Sequence, residues 1–143
     1  MGMEFYGNSY KGNDEPIFVG IPTFLKLPWI RSHEELKSVR PDVAIIGEPF
    51  DFGTTIRPGA RYGPRAIRAA STVPSPAYEH FNIETGVDPF GVFRTVDYGD
   101  VNISPGDVVE SHRRMTNKVK EVLDLDGIPV MLGGDHSITF ANV

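Results

Sequence analysis

The chain has 143 residues, enough for one domain with a hydrophobic core. Its net charge of −5 argues against a surface that binds nucleic acid or an anionic membrane, and the absence of cysteine excludes disulfides and thiolate metal sites. No window of about 18 uninterrupted apolar residues occurs, and the N-terminus lacks a secretory signal pattern, so the sequence predicts a cytoplasmic protein without a membrane span.

Residues 1–41 are predicted to form an irregular arm that leads into a short helix. Glycine and proline interrupt the arm too often for a regular period, yet the arm is rich in aromatic residues. Because disordered tails are poor in aromatics, we expect the arm to pack on its own domain or on a neighbouring subunit. Ser32 and Glu35 form a capping box, which predicts a helix over 33–39 that Pro41 ends.

Residues 42–143 are predicted to form an α/β domain with a parallel sheet and flanking helices. Runs at 43–47, 92–97 and 128–132 have strand length, and the first and last are continuously apolar, as is typical of strands covered on both faces. Helices are predicted between them, over 64–71 and from Ser104 until Gly127 ends the second one. The alternation of strands with helices indicates parallel crossovers.

The start of the second of these helices is predicted from Ser104 as N-cap, with Pro105 at the first helical position and an acid, Asp107, at the third. Apolar residues then recur at three- and four-residue steps, which predicts one buried stripe. His112 lies on that stripe, and we expect it to be a half-buried packing residue rather than a ligand.

The strand at 128–132 leads into GGDHS (133–137), which is the strongest candidate site. Two glycines permit a sharp turn, and polar side chains then follow at the carboxyl end of a strand, where α/β proteins bind ligands. His136 has two readings: a residue in a capping turn made by Asp135 or Ser137, or a metal ligand with Asp135 nearby to orient it. Spacing favours the capping turn, because a catalytic metal centre needs about three protein ligands.

Three further patterns carry weaker signals. Asp97 and Asp100 lie at the end of the strand predicted at 92–97 and could approach His136, although acids at such a turn are more often capping or solvated. The glycine-rich loop at 53–63 lacks the Lys-Ser/Thr ending of a P-loop, so its glycines are predicted to serve tight turns. The arginine stripe in this loop and in the helix after it is expected to form ion pairs and subunit contacts. Its members are Arg57, Arg61, Arg65 and Arg68.

Taken together, three segments resemble the ureohydrolase (arginase/agmatinase) superfamily, and the agmatinase group within it. They are FGTTIRPGARYGPRAIR (52–68), DYGDV (97–101) and LGGDHS (132–137). The arm segment GIPTFLKLP (20–28) is similar to the N-terminal arms of agmatinases and guanidino-acid hydrolases. The resemblance implies an arginase-like three-layer α/β fold, of which this chain holds only the N-terminal portion.

The resemblance also implies a binuclear manganese centre, with two Mn²⁺ per subunit, and homotrimers or homohexamers. The histidine of GGDHS is a manganese ligand in that superfamily, so His136 inherits this role by resemblance. The remaining ligands of the superfamily lie in later Asp-Ala-His-x-Asp and Asp-x-Asp segments, which do not occur in this sequence. We therefore expect no catalytic residue within the chain, and we expect the 143-residue chain alone to be inactive.

The implied reaction is hydrolysis of the guanidinium group of agmatine to putrescine and urea. Two alternatives remain. The first is a guanidino-acid hydrolase such as guanidinobutyrase, since the residues that choose between substrates are not in the motifs. The second is a non-catalytic remnant or interaction module.

Overall fold

The computed structural model describes residues 18–72 and 81–143. Its centre is a sheet of three parallel strands in the order β2–β1–β3. The strands are β1 (Val43–Gly47), β2 (Thr95–Asp100) and β3 (Ile128–Leu132). The predicted parallel α/β fold is confirmed, and the first strand of the sequence lies in the middle of the sheet.

Five α-helices are found in this part of the chain: α1 (His33–Val39), α2 (Gly63–Ser71), α3 (Pro89–Val92), α4 (Val108–Leu123) and α5 (Thr139–Asn142). Short 3-10 turns occur at Phe24–Lys26, Ala60–Tyr62 and His136–Ile138. Across residues 18–72 and 81–143, no helix is long and apolar enough to cross a membrane.

The main hydrophobic core lies between one face of the sheet and the helices α1 and α4. Alternate residues of a strand point to opposite faces, so Ala44 and Ile46 of β1 face this core together with Val96 of β2. The helices contribute fully buried side chains, including Leu36 and Met115. His112 of α4 lies at the edge of this core, half-buried, with its ring 5.2 Å from that of Phe50, which agrees with its predicted packing role.

The opposite face of the sheet is covered by α2 only in part. Arg68 of α2 is buried against β2, and Ile45 of β1 is also buried. On β3, however, Ile128 and Val130 remain 59% and 40% exposed. A parallel sheet normally buries both faces, so this part of β3 is an uncovered apolar surface.

The arm packs on its own domain and covers the outer edge of β2. Trp29 pairs with Asp97 in an isolated parallel bridge. The Ile30 N–H donates to the Asp97 carbonyl at 2.9 Å, and the Asp97 N–H donates to the Pro28 carbonyl at 3.0 Å. These backbone bonds satisfy groups that would otherwise form an open sheet edge. Residues 1–17 lie outside the described residues.

The helix α1 is confirmed at the predicted residues. Its N-cap Ser32 accepts a hydrogen bond from the Glu35 N–H at 3.2 Å. The Glu35 carboxylate reaches back one residue further than a capping box requires, because it accepts from the Arg31 N–H.

Two predicted boundaries are wrong. Asp88 and Pro89 start the one-turn helix α3, so the second strand begins at Thr95, where pairing with Val43 of β1 starts, and not at residue 92. Residues 73–80, which precede this helix in the chain, lie outside the described residues. The helix predicted from Ser104 begins at Val108, because Gly106 has a φ of 82° that a helix cannot accommodate.

Candidate functional site

The GGDHS turn is pressed against the loop that follows β1. Pairing between β1 and β3 continues past the strands, since the Glu48 N–H donates to the Leu132 carbonyl at 2.9 Å and the Asp135 N–H donates to the Phe50 carbonyl at 2.8 Å. A Cβ on Gly134 would collide with the Phe50 carbonyl oxygen. The second glycine of the motif is therefore required by close packing of two backbones.

Asp135 links the two loops at the carboxyl edge of the sheet. Its carboxylate accepts from the Gly53 N–H at 2.7 Å and from the N–H and hydroxyl of Ser137 at 2.8 and 2.5 Å. The predicted capping turn is confirmed, with Asp135 as the cap of the 3-10 turn His136–Ile138. Among residues 18–72 and 81–143 the Asp135 carboxylate makes no hydrogen bond to the His136 ring, so the suggestion that Asp135 orients this ring stays a prediction.

His136 lies at the start of this 3-10 turn, with its side chain exposed at the carboxyl edge of the sheet. Its imidazole makes no hydrogen bond or ion pair with any residue in 18–72 or 81–143. The ring is thus free to accept a ligand. The prediction of a ligand role stays a prediction.

Asp97 and Asp100 do not approach His136; both bind Arg68 of α2. The Arg68 guanidinium donates to Asp97 through Nε at 2.7 Å and Nη2 at 2.9 Å, and to Asp100 through Nη1 at 2.5 Å. Burial alone would lower the pKa of Arg68, but hydrogen bonds to the two carboxylates outweigh it and raise that pKa. The Asp97 carboxylate also accepts from the Phe24 N–H of the arm at 2.7 Å, so one buried ion pair joins arm, sheet and helix.

The glycine-rich loop is organised around Asp51, which sequence reasoning did not single out. Its buried carboxylate accepts from the Gly59 N–H at 2.7 Å and from Arg61 Nε at 2.5 Å. The hydrogen bond from the Arg61 side chain lowers the pKa of Asp51. The expectation that this arginine stripe forms ion pairs is confirmed for Arg61 and Arg68.

A second residue missed from the sequence is Glu48, directly after β1. The residue is fully buried, and Oε2 accepts from the Asn142 Nδ2 of α5 at 2.8 Å. Burial raises the pKa of the Glu48 carboxyl, and the Asn142 hydrogen bond offsets this only in part. No spacing signal could have found the pair, because 94 positions separate the two residues.

A cavity of about 260 Å³ lies elsewhere, between the arm and the end of β2. Trp29, Arg65 and Asp100 contribute to its lining, whereas the GGDHS turn does not. The cavity is therefore separate from the candidate site.

The described residues do not form a metal centre by themselves. Across 18–72 and 81–143, no three histidine, aspartate or glutamate side chains are grouped so that they could hold a metal ion. A structural or catalytic metal site requires about three or more protein ligands. This part of the chain offers His136 as one candidate ligand, and no catalytic step can be built from it.

Comparison with known proteins agrees with this geometry. The parallel sheet and flanking helices are those of the arginase fold, seen over part of its extent. The arginase family model matches residues 41–143, and the chain belongs to this family.

Two relatives show how much of a family member is covered. The chain is 40% identical over 128 residues to guanidinobutyrase of Pseudomonas aeruginosa, which aligns 90% of this chain with 38% of that protein. It is 39% identical over 122 residues to the mitochondrial agmatinase of Gallus gallus, which aligns 85% of this chain with 33% of that protein. The chain thus covers the N-terminal part of these relatives and spans less than half of their length.

Solved structures give the same picture. Proclavaminate amidino hydrolase from Streptomyces clavuligerus superimposes with a TM-score of 0.73 at 35% identity, covering 90% of this chain and 40% of that one. Trypanosoma cruzi formiminoglutamase, solved with Mn²⁺, superimposes with a TM-score of 0.64 at 28% identity, covering 86% of this chain and 39% of that one.

Proposed function

We propose that this chain is the N-terminal part of a ureohydrolase that converts agmatine to putrescine and urea. The observation that supports this is the GGDHS turn, which presents the free imidazole of His136 at the carboxyl edge of a parallel sheet. The agmatinase group is favoured by the resemblance of the motifs and the arm. The proposed substrate is a small guanidino compound, and the proposed metal is manganese, two ions per subunit.

His136 is the one metal ligand that we assign to this chain. Its exposure and freedom from hydrogen bonds support the assignment, and a formiminoglutamase solved with Mn²⁺ supports the choice of metal. The other ligands would come from outside the described residues, since these contain no cluster of three ligating side chains.

The test of the activity is urea release by the full-length protein that contains this chain, assayed with Mn²⁺ and with agmatine or 4-guanidinobutanoate. We expect urea release with both substrates, and a higher kcat/KM for agmatine than for 4-guanidinobutanoate. The variant His136→Asn should lose manganese and activity, whereas His33→Asn, on α1, should keep both. No urea from any guanidino compound would refute the assignment.

A guanidino-acid hydrolase is the second candidate, and the 40% identity to guanidinobutyrase favours it. A higher kcat/KM for 4-guanidinobutanoate than for agmatine would establish it.

A third possibility, a non-catalytic module, concerns the 143-residue chain as such. We expect this chain alone to release no urea and to bind less than one manganese per molecule by elemental analysis; stoichiometric manganese would contradict this.

We also propose that the full-length protein is a cytoplasmic homotrimer or homohexamer. The absence of cysteine suits a reducing compartment, and the exposed Trp29 and Ile21 of the arm offer apolar surface for a subunit contact. Light scattering with in-line chromatography measures the assembly, and cell fractionation measures the location. A monomer would contradict the first proposal, and an organellar location would contradict the second.

A further inference from the structure

The segment that bears His136 is fastened at both ends to the loop that follows β1. At its start, Asp135 binds the Gly53 N–H and the Phe50 carbonyl. At its end, the Asn142 side chain of α5 donates to Glu48 at 2.8 Å. The exposed histidine lies between these two attachments.

In the Glu48–Asn142 pair, buried hydrogen-bond acceptors outnumber donors. Glu48 Oε1 and Asn142 Oδ1 are both buried, and neither has a hydrogen-bond partner in the described part of the chain. Both atoms are acceptors when the carboxyl is ionised, so the pair lacks a donor. An ionised carboxylate buried in this way would carry a large desolvation cost with no cation beside it.

Protonation of Glu48 would supply the missing hydrogen-bond donor and would also remove the buried negative charge. A neutral carboxyl has an O–H donor on one oxygen and an acceptor on the other. A carboxyl and a primary amide can therefore exchange two hydrogen bonds in a closed ring, with Asn142 Nδ2 donating to Oε2 and the acid O–H donating to Asn142 Oδ1. The Nδ2–Oε2 hydrogen bond of 2.8 Å is one half of this ring.

We propose that Glu48 is a neutral carboxylic acid, paired with the Asn142 amide by two hydrogen bonds, and that it is a positioning residue for the His136 segment. The functional half of this inference rests on the proposed ligand role of His136; the protonation and packing of the pair do not.

Among residues 18–72 and 81–143, the Asn142 hydrogen bond is the one contact that lowers the pKa of the Glu48 carboxyl, and no charged group contributes to lowering it. Of the other titratable groups near it, Asp51 lies in the same loop, and Arg68 and Asp100 lie against the neighbouring Gly47, where they bind each other. None of them forms a hydrogen bond or ion pair with Glu48 among residues 18–72 and 81–143. Burial also raises the pKa of the Glu48 carboxyl, which agrees with the neutral form.

The decisive variant is Glu48→Gln in the 143-residue chain, because glutamine is neutral, has the same shape and can donate to Asn142 Oδ1 in place of the acid proton. We expect hydrogen exchange of 135–142 to stay as slow as in the wild type. Asn142→Ala, which leaves the acid unpaired, should accelerate that exchange on the order of tenfold. Exchange in α1 serves as the internal control and should not change in either variant.

The charge of Glu48 is tested by infrared spectroscopy and by the pH dependence of unfolding. The wild type should show the carbonyl band of a protonated carboxyl near neutral pH, and this band should be missing in Glu48→Gln. Because the folded chain keeps a proton that the unfolded chain releases above its ordinary pKa of 4.5, the wild type should lose stability relative to Glu48→Gln as pH rises from there.

Two results would overturn the inference. The first is a missing carboxyl band together with a pH-independent difference between wild type and Glu48→Gln, which would mean that Glu48 is ionised. The second is fast exchange of 135–142 in Glu48→Gln, which would mean that the negative charge itself holds the segment. Neither readout uses urea release, so failure of the proposed activity would leave both results interpretable.

Discussion

At the scale of single residues, the buried ion pair Arg68–Asp97 connects α2 with β2. Asp97 is 1% exposed, and it receives two hydrogen bonds from the guanidinium and one from the arm at Phe24. Both side chains are buried, so the stability of the pair depends on its geometry and on these hydrogen bonds. Sequence spacing pointed to ion pairs in this stripe but not to the partners.

The variant Arg68→Ala should be strongly destabilising. It leaves Asp97 as an uncompensated buried charge, for which we expect a loss of about 3–5 kcal/mol in the free energy of unfolding. Urea denaturation followed by circular dichroism measures this loss. Arg65→Ala, one turn earlier on the exposed side of α2, should change stability by no more than about 0.5 kcal/mol. Equal effects of the two variants would show that the pair contributes nothing specific.

The residue Gly134 also has a role that only packing reveals. A methyl group there would meet the Phe50 carbonyl, so Gly134→Ala must push apart the two loops at the carboxyl edge. We expect a loss on the order of 1–3 kcal/mol in thermal or denaturant unfolding. Gly91→Ala is the matched control, because the nearest atom to its new methyl group would be Asp88 Oδ2 at an ordinary 3.5 Å. A neutral Gly134→Ala would contradict the observed contact.

At the scale of elements, the start of α4 illustrates how local signals compete. The sequence predicts a helix that starts at Ser104, with Pro105 and Asp107 in its first turn. In the structure Asp107 is itself the N-cap, and its carboxylate accepts a hydrogen bond from the Glu110 N–H at 2.9 Å. The residues before it form a turn, because the Asp107 N–H donates to the Ser104 carbonyl and Gly106 has a positive φ. The Ser104 side chain makes no hydrogen bond within 18–72 and 81–143.

This difference can be measured with two alanine variants. Asp107→Ala should lower the free energy of unfolding by about 1 kcal/mol through loss of the cap. Ser104→Ala should stay within about 0.5 kcal/mol of the wild type, since its hydroxyl caps nothing. Thermal unfolding of both variants at one pH gives the comparison. A larger loss of stability in Ser104→Ala than in Asp107→Ala would instead support Ser104 as the N-cap, as the sequence predicted.

Hydrogen bonds fix the loop after β1 and the segment 133–142 at the carboxyl edge of the sheet. The loop after β1 is tied by Asp51 to its own distal half and by Glu48 and Phe50 to the segment 133–142. The sheet thus delivers His136 on a turn whose neighbours are fixed, while the imidazole itself is unbound. A ligand would therefore meet an ordered turn and would have to fix only the His136 side chain.

At the scale of the whole molecule, β3 presents an uncovered apolar face. Ile128 and Val130 lie side by side with Val43 and Ile45 of the central strand, on the face that α2 leaves open. Exposed apolar surface next to an unpaired strand edge favours association with other chains.

We therefore expect the 143-residue chain to self-associate as its concentration rises. The double variant Ile128→Thr/Val130→Thr keeps β-branched residues but removes apolar surface, so it should shift the chain toward monomer in sedimentation velocity experiments. Val109→Thr, at an 80% exposed position of α4, is the control and should not change association. A chain that stays monomeric at high concentration would contradict this expectation.

The sequence by itself determined the elements whose signals are local. The apolar runs at 43–47 and 128–132 became β1 and β3 without a shift of boundary, and the cap at Ser32 became the start of α1. Such features depend on neighbouring residues, whose periodicity and capping chemistry can be read directly from the chain. The motifs were also sufficient to indicate the family.

Only the tertiary structure decided which distant residues meet. Arg68 finds Asp97 across 29 positions, and Glu48 finds Asn142 across 94, because parallel pairing brings the ends of strands far apart in sequence to one edge. Whether a carboxyl is paired, neutral or free follows from these contacts and from burial, which no spacing rule contains. For that reason the sequence could nominate His136, while its supports became visible only in the fold.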